Sequence, residues 1–120
     1  MSLGSKLRTF LYQRLDNRWK LEWYKREVYI KLSVHALLNL DWSWRRNLVK
    51  IYFLLDRLAD KQERKEVAKL ANDVISFLLK QGYRVELGGD TDRVPGYKEL
   101  CNMVTQFEKE AKNRVVKIIL

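Results

Sequence analysis

His35 is the only imidazole in the chain and Cys101 the only thiol. They are the first candidates for nucleophilic or general-base catalysis, which needs a nucleophile, a base or a metal held in mutual reach. His35 lies in the uncharged run 32–40, where a hydrogen-bonded core histidine is expected. Cys101 follows Leu100 beside an apolar stripe, where inert packing is expected. Glu86, Asp90 and Asp92 gather three carboxylates around Gly88 and Gly89, but their spacing fits neither the twelve-residue calcium loop nor a phosphate-cradling glycine loop. A solvated turn, with Asp90 or Asp92 accepting from nearby backbone N–H groups, is expected there. A single Cys and a single His also exclude an intrachain disulfide and a zinc site of the usual ligand count. The expectation is a non-enzymatic protein without catalytic residue, metal or cofactor.

Charge is the richer signal. The 120 residues hold 24 Lys and Arg against 15 Asp and Glu, a net charge of +9. Residues 1–50 carry 11 basic and 4 acidic side chains, and all four Trp fall between Trp19 and Trp44. On helices, Arg46, Lys50, Phe53, Arg57 and Lys61 share one face, and Lys65, Lys69, Asn72, Ser76 and Lys80 form an acid-free stripe on the next. With Arg18, Lys25, Arg26 and Arg45, these side chains are the expected nucleic-acid contacts. Phosphate backbones bind such surfaces by charge neutralisation and counterion release, which needs Lys and Arg at intervals but no strict motif. Trp42 and Phe53 lie off the main apolar stripe and are the expected stacking aromatics. Six acid-to-base pairs stand four apart in the order favourable on helices: Asp16–Lys20, Glu22–Arg26, Glu27–Lys31, Asp60–Arg64, Glu108–Lys112 and Glu110–Arg114.

These faces require helices to position them. Leu7, Leu11 and Leu15 follow a Ser5 cap, and Asp16 and Asn17 are expected to bend or end that first piece. Residues 18–39 carry two apolar stripes, one with Trp19, Trp23, Ile30, Val34 and Leu37, the other with Leu21, Tyr24, Val28 and Leu32. Asp41 is read as the cap of a helix bearing Trp44, Leu48, Ile51, Leu55 and Leu58. Val67, Leu70, Ala71, Val74, Phe77 and Leu78 continue the pattern to Gly82, which is expected to close the helix. Residues 82–96 hold four of the five Gly and the only Pro and read as a loop, within which 83–87 alternates like a short strand. Leu100, Met103, Val104, Phe107, Ala111, Val115 and Ile118 predict a last helix over 97–118, with a C-terminal strand over 115–120 as the alternative.

The fold expected is all-α: four principal helices plus a short N-terminal helical piece, an antiparallel bundle in one domain spanning 1–120. In size, charge and expected helicity the chain resembles small basic helical-bundle accessory proteins, such as the small subunits of RNA-guided effector complexes or the accessory bundle of diversity-generating retroelements. That resemblance carries over no residue role. The expected function is backbone-directed, sequence-nonspecific nucleic-acid binding, with a homo-oligomer or a protein partner covering the second apolar stripe. The alternative is a structural adaptor acting through protein contacts alone. The longest uncharged stretch, residues 32–40, is too short to span a bilayer, and neither a signal peptide nor membrane insertion is expected, which points to the cytoplasm.

Overall fold

The computed structural model describes residues 2–14 and 19–119, the stretch 113–119 by its backbone alone. The all-α expectation is overturned. A five-stranded sheet forms one layer, with helices α1 (Leu3–Arg14), α2 (Lys61–Lys80) and α3 (Tyr97–Ile119) beside it. Strands β1 (Lys20–Tyr24), β2 (Glu27–Lys31), β3 (Ala36–Ser43) and β4 (Leu48–Leu55) form an antiparallel meander. β5 (Arg84–Gly89) then joins β4 in parallel after the α2 crossover, giving the order β1-β2-β3-β4-β5. The resemblance to helical-bundle proteins falls with the bundle.

The reason lies in the apolar period. Val28 and Ile30 on β2, Ala36, Leu38, Leu40 and Trp42 on β3, and Val49, Ile51, Phe53 and Leu55 on β4 recur at every second position, and all are buried. A period of two puts every one of them on a single sheet face, whereas a helix would scatter them around its circumference. The two-striped helix expected over 18–39 was this alternation seen through the wrong period. Val28, Tyr29 and Ile30 on β2 and Val49, Ile51 and Tyr52 on β4 carry branched or flat side chains that suit a pleated surface. Two of the expected helical ion pairs, Glu22–Arg26 and Glu27–Lys31, dissolve with the helix. Glu22 instead meets Lys31 across the β1–β2 pair, Nζ to Oε1 at 2.5 Å.

All three helices cover that apolar face. Phe10 of α1 stacks on Phe77 of α2 with centroids 4.3 Å apart, and Tyr97 at the start of α3 meets Phe53 edge-on at 6.1 Å. α2 begins with a capping box: Asp60 accepts from the Glu63 N–H while the Glu63 carboxylate accepts from the Asp60 N–H. It closes at Gly82, φ +89°, with the Tyr83 N–H bonded to the Leu78 carbonyl, as the sequence suggests. β5 overlaps the expected short strand at 83–87, and its partner is β4, a segment read as helix. α3 continues to Ile119, which removes the C-terminal strand alternative. The expected bend at Asp16 and Asn17, like Leu15 and the Asp16–Lys20 pair, lies outside the described residues. The Arg114, Val115 and Ile118 side chains lie outside them too.

Gly89 is the position where backbone approach is tightest. Its φ is +85°, and a Cβ there would stand 2.3 Å from the Phe53 carbonyl oxygen. Replacing it with Ala imposes both strain and a backbone clash. Gly89→Ala is expected to lower unfolding free energy by at least about 2 kcal/mol, read as a lower urea midpoint with unchanged slope. A midpoint equal to that of the parent chain would refute this account of the β4–β5 junction.

Candidate nucleic-acid interface

The meander gives the sheet two unlike ends. The β1–β2 turn, Lys25 and Arg26, and the β3–β4 turn, residues 44–47, lie at one end, joined through β2–β3 by the Trp42 N–H bonded to the Arg26 carbonyl at 3.0 Å. α2 ends and β5 starts there as well, because the Asn47 side chain donates to the Gly82 carbonyl at 2.6 Å and the Arg84 N–H donates to the Asn47 carbonyl at 2.8 Å. The first turns of α1 reach the same end, where Lys6 Nζ donates to Gln81 Oε1 at 3.3 Å. Asn47 adopts a left-handed φ of 51°, which a four-residue turn without glycine requires of one residue.

Six cations from separate segments therefore meet at this hairpin end: Lys25, Arg26, Arg45, Arg46, Lys80 and Arg84. All are exposed, and none makes an ion pair among the described residues. Trp44 stands with them, 63% exposed, with the Arg45 guanidinium 5.4 Å from its ring centre. Lys65 and Lys69 are exposed on the outer ridge of α2, with Asn72, and that ridge leads to Lys80. A cationic track thus runs from the middle of α2 onto the turns. Like charges gathered without ion pairs of their own raise the local potential and favour a polyanion.

The remaining expected contacts are dispersed. Lys50 projects from the uncovered sheet face, paired in register with Asp41 on β3 and Glu86 on β5, so its charge is balanced locally. Arg57 and Lys61 sit at the opposite end of the sheet, in and just after the β4–α2 connection. Arg18 lies outside the described residues. The two stacking candidates are corrected outright: Phe53 is 0% exposed at the centre of the core and Trp42 is 8% exposed, so neither presents a free face. Trp44, which its spacing with Leu48 and Ile51 places on a core stripe, is exposed instead. The signal that could have found it is the run Trp44-Arg45-Arg46-Asn47 between two alternating segments, with Asn as a turn former.

At the far end, His35 departs from the expected core histidine. Its Nδ1 lies 3.0 Å from Asp56 Oδ2, its backbone N–H donates to Ser33 Oγ, and Asp56 also accepts from the Leu58 N–H at 2.8 Å. Ser33 donates in turn to Glu63. Asp90 and Arg93 close the end of β4, Asp90 accepting from the Leu55 N–H and Arg93 donating to the Leu55 carbonyl. The Asp90 acceptor role is therefore structural, although its donor is on β4 and not in its own turn. Among the described residues no cluster of three or more His, Cys, Asp and Glu side chains could hold a metal ion.

The hydrogen bond to Asp56 raises the His35 pKa above its ordinary 6.5 against an opposing effect of burial, with Asp56, Glu63 and Asp60 adding favourable charge. The same bond lowers Asp56 below 3.8, again against burial. The signs set a window. The His35 share of stability is complete below its unfolded value and lost as pH rises through the folded one, while the Asp56 share is complete above its unfolded value and lost as pH falls through its folded one. In an NMR titration the His35 ring is expected to titrate above 6.5, and Asp56→Asn to move its midpoint downward. A midpoint unmoved by that substitution would contradict the pairing.

No protein-family model, curated protein or solved structure matches the chain. Among the described residues no helix is long and apolar enough to cross a membrane.

Proposed function

We propose that the protein is a non-enzymatic nucleic-acid-binding protein that holds phosphate backbone against its hairpin end. One observation carries the reading: Lys25, Arg26, Arg45, Arg46, Lys80 and Arg84 converge from separate segments and make no ion pair among the described residues. Four of these charges sit on hairpin turns and two at the adjoining ends of α2 and β5, none of them along a recognition helix, so the contacts engage backbone and shape without regard to sequence. If each of the six neutralises one phosphate, affinity for a labelled oligonucleotide falls roughly 10²–10³-fold between 50 and 200 mM salt. Fluorescence anisotropy at those two concentrations tests it. Binding that is absent at 50 mM, or that changes less than fivefold, defeats the reading.

A second reading, an assembly subunit acting through protein contacts, is favoured by a different feature. Tyr29, Leu37, Tyr52 and Leu54 are only half-buried on the sheet face that no described helix covers. Burying such a face in a homo-oligomer or against a protein partner removes apolar surface from water. Sedimentation at micromolar concentration separates a monomer from an assembly. A variant with Arg45 and Arg46 changed to Glu that stays assembled and functional would favour this reading over nucleic acid.

A further inference from the structure

We propose that the uncovered sheet face docks a second copy of this chain, the two sheets stacked face to face with their strands running in opposite directions; this rests on the assembly reading above and names its partner. Charge points to a copy of the chain and not to a polyanion. On this face Lys20, Lys31, Lys50 and Arg84 are matched by Glu22, Glu27, Asp41 and Glu86, so it is neutral on a chain of net charge +9. Two copies meeting on a basic surface repel, whereas two meeting here do not. The middle of the face supplies the apolar contact: Tyr29 and Tyr52 flank Asn39 in register, with Leu37 and Leu54 next along β3 and β4. The Tyr52 ring lies along Gly88, where a Cβ would stand 3.3 Å from two of its carbons. Five strands of 5–8 residues, about 4.8 Å apart and rising about 3.3 Å per residue, give a footprint of roughly 500 Å² on each copy. A pair then buries on the order of 1,000 Å², where specific interfaces begin.

The charges are also ordered along the strands. Lys20 stands directly opposite Lys31 at the far end of β1 and β2, and Glu27 directly opposite Asp41 toward the hairpin end of β2 and β3. Like charges placed opposite one another weaken a sheet. Lys31 is relieved by Glu22, but Lys20, Glu27 and Asp41 make no ion pair among the described residues. A two-fold axis running across the strands lays the lysine pair of each copy over the carboxylate pair of the other, so each unfavourable pair meets its opposite twice. The same axis sends the two cationic hairpin ends to opposite ends of the dimer. An axis along the strands would bring those ends together, and they would repel.

Sedimentation equilibrium tests this with the full chain, with Lys20→Glu and Lys31→Glu combined, and with Glu27→Lys and Asp41→Lys combined. The parent chain is expected to double its mass by about 100 μM, and each double variant to need at least about tenfold more protein to do so. An equimolar mixture of the two variants is expected to return to within about threefold of the parent, because mixing restores opposite charges at both contacts. Should a double variant fold poorly by circular dichroism, Lys20→Glu and Asp41→Lys, both at exposed positions, repeat the test alone and mixed. A parent chain that stays monomeric at about 100 μM overturns the proposal together with the homo-oligomer arm of the assembly reading. A dimer that neither variant weakens, or variants that mixing does not rescue, overturns the proposal alone and leaves assembly through another surface standing.

Discussion

Changing Lys25, Arg26, Arg45 and Arg46 together to Glu is expected to lower nucleic-acid affinity at 50 mM salt on the order of a thousandfold or more. Each phosphate contact contributes roughly one unit to the slope of log affinity against log salt, so six contacts give a slope near −5 on a duplex and near −4 on a single strand. Removing four of them leaves a slope of about −1 to −2, and the reversed charges add repulsion to the loss. The fold is expected to survive, because all four side chains are exposed and none is ion-paired among the described residues. Near-UV circular dichroism checks that. Reversals at Arg57, Lys61 and Lys98, at the opposite end of the sheet, are expected to change affinity less than tenfold. Equal losses from both sets would mean that net charge, not its placement, drives binding.

Phe53→Ala is expected to be the most damaging single truncation, and to damage stability alone. Phe53 is fully buried on the helix-facing side of β4, its ring edge-on to Tyr97 and its backbone in contact with Gly89. Emptying such a site costs about 3–5 kcal/mol through lost burial and the cavity left behind. In a chain of this size that lowers the melting temperature by roughly 10–20 °C. Below the transition, the salt slope of nucleic-acid binding is expected to match that of the parent chain. The stacking role expected from the sequence makes the opposite forecast: intact stability and weakened binding. Calorimetry and one binding isotherm distinguish the two.

The contrast shows what the sequence could and could not display. The helices over 61–80 and 97–119 are legible because their apolar residues recur at three and four, and Gly82 marks an end that the backbone confirms with φ +89°. The strands were masked because their turns lack the usual punctuation: between Gly4 and Gly82 the chain has neither Gly nor Pro. Lys25 and Arg26 turn the chain in two residues, and among the described non-glycine residues only Asn47 takes the left-handed conformation. Without those breaks, the alternating strands 28–30, 36–42 and 49–55 read as a two-striped helix over 18–39 and a second helix capped at Asp41. Charge was legible in amount but not in place. Lys25, Arg26, Arg45, Arg46 and Lys80 are brought together by hairpin geometry, whereas Phe53, Lys50, Arg57 and Lys61 were grouped by a helix that does not form. The His35–Asp56 pair joins residues 21 apart through two loops at the same sheet end, which no local spacing could reveal.

Backbone amide shifts recorded while a short oligonucleotide is titrated into the labelled protein test the central claim most directly. The hairpin end is expected to respond first and most strongly, at residues 25–26, 44–47 and 80–84, with smaller changes along the α2 ridge at Lys65 and Lys69. Shifts confined to the far end, at residues 33–35 and 56–60, or to the uncovered sheet face around Tyr29 and Tyr52, would contradict the assignment of function to the hairpin end.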